Sequence, residues 1–380
     1  MRFDRTLRTG GTFRLSRERD PFILKRIMTG IQAVIDVGTN SIKLLVGEVE
    51  RGTLTPLLDT TARHPARLGR GYYESRNLQH DAIAGAIDAI NELIKRAERY
   101  QPASIRLVAT SAVRDARNRT EFETMVRERT GLPLEVVSGE REAELIHRGV
   151  MSDPSIGPQS LVIMDVGGGS TEIVIAHREE LYLSRSFPLG AVRMMEILRP
   201  QDPPTAGDRE RCDDFLEQYF SEFIVPAVQL GVGEHGHIHT FVATGGTAAC
   251  MAMMHAPAQR ESEIEAGICL TREDVRFQAD RVWNLSLIQR QQIKGLPEKR
   301  ADVILTGAAI FNAALSFLGF DELVVSRRGL RFGVLSSDSA RTPATDASLA
   351  NEIAQHRIRI DVPGGNSEAE KESRRIPAGD

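Results

Sequence analysis

Two acidic turns stand out among the residues able to do chemistry. Val34-Ile35-Asp36-Val37-Gly38-Thr39-Asn40-Ser41-Ile42-Lys43-Leu44-Leu45-Val46 and Ile163-Met164-Asp165-Val166-Gly167-Gly168-Gly169-Ser170-Thr171-Glu172-Ile173-Val174-Ile175 align without a gap. Asp36 falls on Asp165, Gly38 on Gly167, Ser41 on Ser170 and Lys43 on Glu172. Each phrase reads as an apolar strand ending in Asp, a Gly/Ser/Thr turn, and a second apolar strand. Such turns offer backbone N–H groups and hydroxyls to an anion, and their Asp residues can hold a metal ion. One Asp-x-Gly turn is weak, because Asp and Gly are ordinary turn residues. Two in the same setting make a phosphate cradle the better reading than two plain hairpins. Side chains alternate along a strand, so Ser41 and Lys43 share a face, as do Ser170 and Glu172. Lys43 would point an ammonium at the anion, while Glu172 would face a metal or an attacking water.

Three further groups fit the same chemistry. Ala243-Thr244-Gly245-Gly246-Thr247-Ala248 follows a strand and precedes an apolar helix, a junction that admits a phosphate to backbone N–H groups. The bland alternative is close helix–strand packing. Ser138-Gly139-Glu140-Arg141-Glu142-Ala143-Glu144 places three carboxylates at a helix start. Acids there suit the helix dipole in any helix, but one of them reaching a cleft would be the expected base for activating water. Arg63, Arg67, Arg70, Arg114, Arg117 and Arg193 lie near these motifs, and Arg67 and Arg114 occupy loops where a guanidinium could pair with phosphate oxygens. His80-Asp81 reads as a helix start, because no partner histidines stand at metal-binding spacing, and His147 reads as a surface or interface residue.

The elements that must position these residues repeat. Residues 32–60 read as a three-stranded meander with Arg51-Gly52 at its second turn. A helix over 81–100 has Ile83, Ile87, Ile90, Leu93, Ile94 and Ala97 on one face. A strand at 105–110, a helix at 111–128, a strand at 134–137 and a helix at about 140–150 follow. A second meander occupies 160–166, 171–177 and 180–187. A polar, helix-rich stretch leads to a strand at 240–243. Repetition of a meander plus α/β units implies a duplicated α/β domain with a cleft between the copies.

The chain of 380 residues, 41% hydrophobic and 26% charged, supports two domains of ordinary size. A net charge of −4 names no partner, so attraction for an anion must be local. Cys212, Cys250 and Cys269 form neither a disulfide framework nor a metal motif, which fits a reducing cytoplasm. Apolar runs are only strand-length, so no membrane span is expected. Residues 1–28 carry eight Lys/Arg against three Asp/Glu without an apolar signal core. Residues 1–30 read as a flexible basic extension, and 338–380, rich in Ala, Ser, Pro and Gly, as a largely disordered tail.

Together these residues resemble the exopolyphosphatase / guanosine pentaphosphate phosphohydrolase (Ppx/GppA) family, in its short two-domain form. The resemblance covers roughly residues 31–336. It rests on the two acidic turns, Ala109-Thr110-Ser111-Ala112-Val113-Arg114-Asp115-Ala116, Ser138-Gly139-x-x-Glu142-Ala143, Pro188-Leu189-Gly190-Ala191-Val192-Arg193, Gly245-Gly246-Thr247, Arg300-Ala301-Asp302-Val303-Ile304 and Gly329-Leu330-Arg331. It implies duplicated actin-like (ribonuclease H-like) ATPase domains, at 31–150 and 151–337. It also implies exopolyphosphatase activity on inorganic polyphosphate, or removal of a phosphate from guanosine pentaphosphate. Glu142 would be the catalytic base, with Glu172 beside it. Asp165 and Glu172 would hold Mg²⁺ or Mn²⁺. Asp36, Gly38, Asn40, Ser41, Lys43, Arg67, Arg114, Gly167, Gly168, Ser170, Arg193, Gly245 and Gly246 would bind phosphate. Arg141, Arg327 and Phe332 depart from the family's usual acidic residues at those places. No nucleic acid or membrane partner is expected. A homodimer is entertained, although no residue fixes the oligomeric state. Two rivals are a phosphotransferase of the same superfamily, which would need an acceptor pocket, and a non-catalytic phosphonucleotide sensor, against which the pair Glu142 and Glu172 argues.

Overall fold

The structure, a computed structural model, describes residues 30–50, 53–57, 63–157, 159–177, 180–233, 238–258 and 261–337. The Arg51-Gly52 turn, the expected basic extension up to residue 29 and the 338–380 tail lie outside the described residues.

The first half builds β1 (Gly30–Val37), β2 (Ile42–Glu50), β3 (Thr53–Pro56), β4 (Arg63–His64), α1 (Tyr72–Ser75), α2 (His80–Glu98), β5 (Ser104–Ala109), α3 (Ser111–Arg114), α4 (Arg119–Thr130), β6 (Leu134–Val136) and α5 (Gly139–Met151). The second half opens with β7 (Ser160–Val166), β8 (Thr171–His177), β9 (Glu180–Phe187) and α6 (Ala191–Leu198). Next come α7 (Ala206–Tyr219), a π-helical turn (Phe220–Ile224), α8 (Val225–Val232), β10 (Thr240–Thr244) and α9 (Gly245–His255). It ends with β11 (Cys269–Thr271), α10 (Arg272–Trp283), α11 (Leu287–Gln291), α12 (Ile304–Leu318), β12 (Glu322–Val325) and α13 (Leu330–Ser337).

One sheet runs β3-β2-β1-β5-β6, with β4 on β2, and the other runs β11-β12-β10-β7-β8-β9. In each, an antiparallel meander is followed by parallel strands, β5 beside β1 and β6 beside β5, and β10 beside β7 and β12 beside β10. The two meanders are thus equivalent, as the aligned sequence phrases require. The single helix expected over 111–128 is instead two, α3 and α4. Between them Asn118, at the start of α4, is held by the Leu78 backbone, accepting from N at 2.9 Å and donating to O at 3.0 Å. The strands β11 and β12 were not anticipated. His147, expected at a surface or an interface, is 5% exposed, because α5 is packed between the second sheet and α13.

Each sheet has its own core. Ile83, Ile87, Ile90 and Leu93 of α2 bury against Ile35, Leu44 and Leu107, and α7, α9, α10 and α12 cover the second sheet around Met164, Phe241 and Phe311. A third apolar cluster joins the two halves. It holds Val34, Leu45 and Val108 of the first sheet, Ile163 and Val174 of the second, Ala143 and Ile146 of α5, and Phe332 and Val334 of α13. Within it the terminal helices are exchanged: α5 lies on β8 and β9, and α13 on β1 and β2. They cross at glycine. A Cβ on Gly333 would sit 1.7 Å from the Leu145 carbonyl oxygen, and one on Gly149 2.1 Å from that of Gly329. No described helix is long and apolar enough to cross a membrane.

Candidate active site

The duplicated hairpins bring their chemistry to the same place by register. Asp36 pairs with Lys43 across β1 and β2, and Asp165 pairs with Glu172 across β7 and β8. Both turns and the start of α9 open on one cleft between the sheets. Its lining contains Asp36, Gly38, Asn40, Ser41, Lys43, Glu142, Asp165, Gly167, Gly168, Ser170, Glu172, Gly245 and Gly246.

The carbonyls of the two turns are bound from behind. Thr39 O and Asn40 O accept from Gly69 N at 2.8 Å and Arg67 N at 3.0 Å. Gly167 O accepts from Ala191 N at 2.9 Å, and Gly168 O from Val192 N and Arg193 N at 2.8 and 3.0 Å. Acceptors that would repel an anion are therefore already engaged by protein donors. At the third turn, Gly245 has φ +86°, and a Cβ there would meet Asp165 Oδ1 at 2.1 Å. Glycine is required on both counts.

Of the three acids at the start of α5, one enters the cleft. Ser138 caps the helix by accepting from Arg141 N at 3.1 Å. Glu140 is exposed, Glu144 pairs with Arg141 at 2.8 Å, and Glu142 is 7% exposed. Arg114 Nη1 donates to Glu142 Oε2 at 2.7 Å, and Ser186 Oγ donates to Glu172 Oε1 at 2.7 Å.

The electrostatics are those of crowded, buried acids with cations at their edge. Burial raises the Glu142 carboxyl well above its ordinary value, Glu172 adds to this, and Arg114 opposes it. Burial and then Asp165 push Glu172 up to about 7. Burial pushes Asp165 up to about 6 against the pull of Lys43. Asp36 is also raised by burial, and Lys43, whose Nζ lies 3.8 Å from Asp36 Oδ2, is lowered by burial despite that partner. Among the described residues no three His, Cys, Asp or Glu side chains are arranged to hold a metal by themselves. Mg²⁺ is usually held by only one or two carboxylates plus waters and substrate phosphates. The oxygen donors Asp165 and Glu172 fit that mode of binding.

Three expected phosphate ligands stand outside the lining. Arg67 pairs with Asp302 at 2.8 Å. Arg114 holds Glu142. Arg193 Nε donates to Gly169 O at 2.7 Å, and its guanidinium lies 4.5 Å from the Tyr73 ring centroid and 3.6 Å from Asp115. Other cations take their place in the cleft. Arg300 lies over Gly246, with Nη2 3.4 Å from Ser41 Oγ. Arg331 comes from α13 and donates to Leu44 O at 2.8 Å. Thr39, Thr110, Ser111, Thr244 and Ser326 add hydroxyls. Arg300-Ala301-Asp302 and Gly329-Leu330-Arg331 were motifs in the sequence, and their place among the motifs that carry the family resemblance was the available signal.

Comparison with known proteins agrees with this geometry. The sequence profile of the Ppx/GppA phosphatase family matches residues 45–342. Exopolyphosphatase 2 of Mycobacterium tuberculosis is 32% identical over 320 residues, 80% of this chain and 97% of the relative. The crystal structure of the Aquifex aeolicus Ppx/GppA family member superposes with a TM-score of 0.67 at 29% identity, covering 81% of this chain and 97% of that one. An exopolyphosphatase from Cytophaga hutchinsonii, at 24% identity, shares the fold with a TM-score of 0.72 over 81% of this chain and 97% of its own. The duplicated actin-like α/β fold implied by the sequence is present, and the chain belongs to the Ppx/GppA phosphatase family.

Proposed function

We propose that this protein is an exopolyphosphatase, which releases terminal orthophosphate from inorganic polyphosphate. The observation that carries the reading is the placement of Glu142: a buried carboxylate facing the cleft that both glycine turns line. The names of the similar proteins support it. Phosphate oxygens lie against the turns, and Lys43, Arg300 and Arg331 offset their charge. Glu142 takes a proton from the water that attacks the terminal phosphorus. The bond from that phosphorus to the bridging oxygen breaks, and the shortened chain leaves with the charge that the cations stabilise. Asp165 and Glu172 would hold Mg²⁺ or Mn²⁺, which when bound supplies charge neutralisation at the phosphate oxygens.

Guanosine pentaphosphate would use the same chemistry. Among the described residues lining the cleft none is aromatic, so a purine has no ring to stack on, which favours the inorganic polymer. Cys212, Cys250 and Cys269 are not joined in disulfides, in keeping with a cytoplasmic enzyme. Incubation with Mg²⁺ and, in parallel, short polyphosphate, long polyphosphate and guanosine pentaphosphate tests the reading. Orthophosphate should appear fastest from polyphosphate. Release only from the nucleotide would transfer the assignment to guanosine pentaphosphate, and release from none would refute hydrolysis.

A further inference from the structure

A second cavity lies directly behind the reacting end of the cleft. Arg114, Asp115, Glu140, Ser170, Ser186 and Pro188 line it. The cleft and this cavity share Ser170. Otherwise two hydrogen-bonded pairs divide them, each with one member on either side: Arg114 with Glu142, and Ser186 with Glu172, both at 2.7 Å. The partition there is made of side chains, and the acids on its inner side are those assigned to the chemistry.

Resting on the exopolyphosphatase reading, we propose that this cavity is the exit for the orthophosphate product. The freed phosphate forms beside Glu142, with the shortened polymer still occupying the cleft over Lys43 and Arg300. Leaving by the cleft would require it to pass that polymer. Arg114 stands on the other side, and a phosphate oxyanion competes with a carboxylate for a guanidinium. Exchange of Arg114 from Glu142 to the product, with Ser170 and Ser186 as hydroxyl donors, opens the partition. Asp115, 3.5 Å from Arg114 Nε, repels the anion outward, so the cavity passes phosphate on rather than storing it. Once the product has gone, Glu142 takes Arg114 back into the resting pair.

Glu140 and Pro188 are exposed at this cavity and outside the catalytic set. The test compares wild type with Glu140→Trp and Pro188→Trp, which plug the cavity from different walls, and Glu140→Gln, which changes charge alone. Enzyme in excess is mixed with polyphosphate and Mg²⁺. Acid-quenched samples report total orthophosphate formed, and a fluorescent phosphate-binding reporter follows orthophosphate in solution. In either Trp variant, free orthophosphate should trail total orthophosphate by about threefold or more in rate, as expected when release becomes limiting, while Glu140→Gln follows wild type. Free and total orthophosphate rising together in both folded Trp variants would overturn the exit. No orthophosphate from wild type in either assay would instead overturn the activity on which the exit depends.

Discussion

Asp165 and Glu172 sit opposite each other on neighbouring strands, and this pairing makes the site sensitive to pH. Their carboxyls are raised from 3.8 to about 6 and from 4.5 to about 7, chiefly by burial. The folded protein therefore keeps protons that the unfolded chain gives up between about pH 4 and 7. Their contribution to stability is present below pH 4 and lost as pH rises through 6 and 7. In excess chelator, the melting temperature should fall between pH 5.5 and 7.5, and Mg²⁺ should recover much of the loss at pH 7.5 by neutralising the ionised pair. A chelated protein that melts at the same temperature across that range would contradict these environments. Asp165→Asn should raise the Mg²⁺ concentration needed for half-maximal turnover, and an unchanged requirement would remove Asp165 from the metal. At this scale the turn residues were legible, because strand alternation and hairpin register follow directly from spacing. The partner of Arg114 was not. Arg114 was expected in a loop and ends α3 instead; an arginine near an anion motif can serve a phosphate or a carboxylate, and only the approach of α5 decides for Glu142.

The exchanged helices explain both how Glu142 is placed and why part of the site was hidden. Helix α5 belongs by sequence to the first half and packs on the second sheet, while α13 does the reverse and brings Arg331 to β2. Hydrophobic periodicity shows that a helix has an apolar face but not which sheet receives it, so Arg331 could not be assigned from its own segment. The duplicated meanders were readable because their pairing is local. The strand β11 at the sheet edge and β12 beside it are only three and four residues long, too short for a pattern. The crossing makes a sharp prediction. Gly333→Ala puts a methyl on the Leu145 backbone, and overpacking of this kind costs about 1–3 kcal/mol. The melting temperature should drop and turnover should fall with it, since α5 must shift and carries Glu142. Thermal denaturation that leaves Gly333→Ala equal to wild type would contradict the close crossing.

The whole molecule is net negative, yet its proposed substrate is a polyanion. Removing residues 1–28, which carry +5, from a total of −4 leaves −9, so binding must rest on local cations in the cleft. Arg300→Ala should raise KM for polyphosphate about tenfold with a smaller change in kcat, the scale of one lost charge-assisted contact. Deleting residues 1–28 should move KM little. A larger KM effect from the deletion than from Arg300→Ala would transfer polyanion binding to the extension. Two domains and a cleft were readable from the repeated phrase. Their closure was not, because it depends on pairs such as Arg67 with Asp302 and Glu196 with Gly71 N, at 2.8 and 2.7 Å, which join residues over 100 positions apart. The central claim is that this cleft hydrolyses a phosphoanhydride with Glu142 as base. Its most direct test is orthophosphate release from polyphosphate in Mg²⁺ by wild type and by Glu142→Gln. The account predicts steady release by wild type and a kcat roughly 10²–10⁴-fold lower in the variant, with polyphosphate still bound. A Glu142→Gln enzyme releasing orthophosphate at the wild-type rate would contradict it.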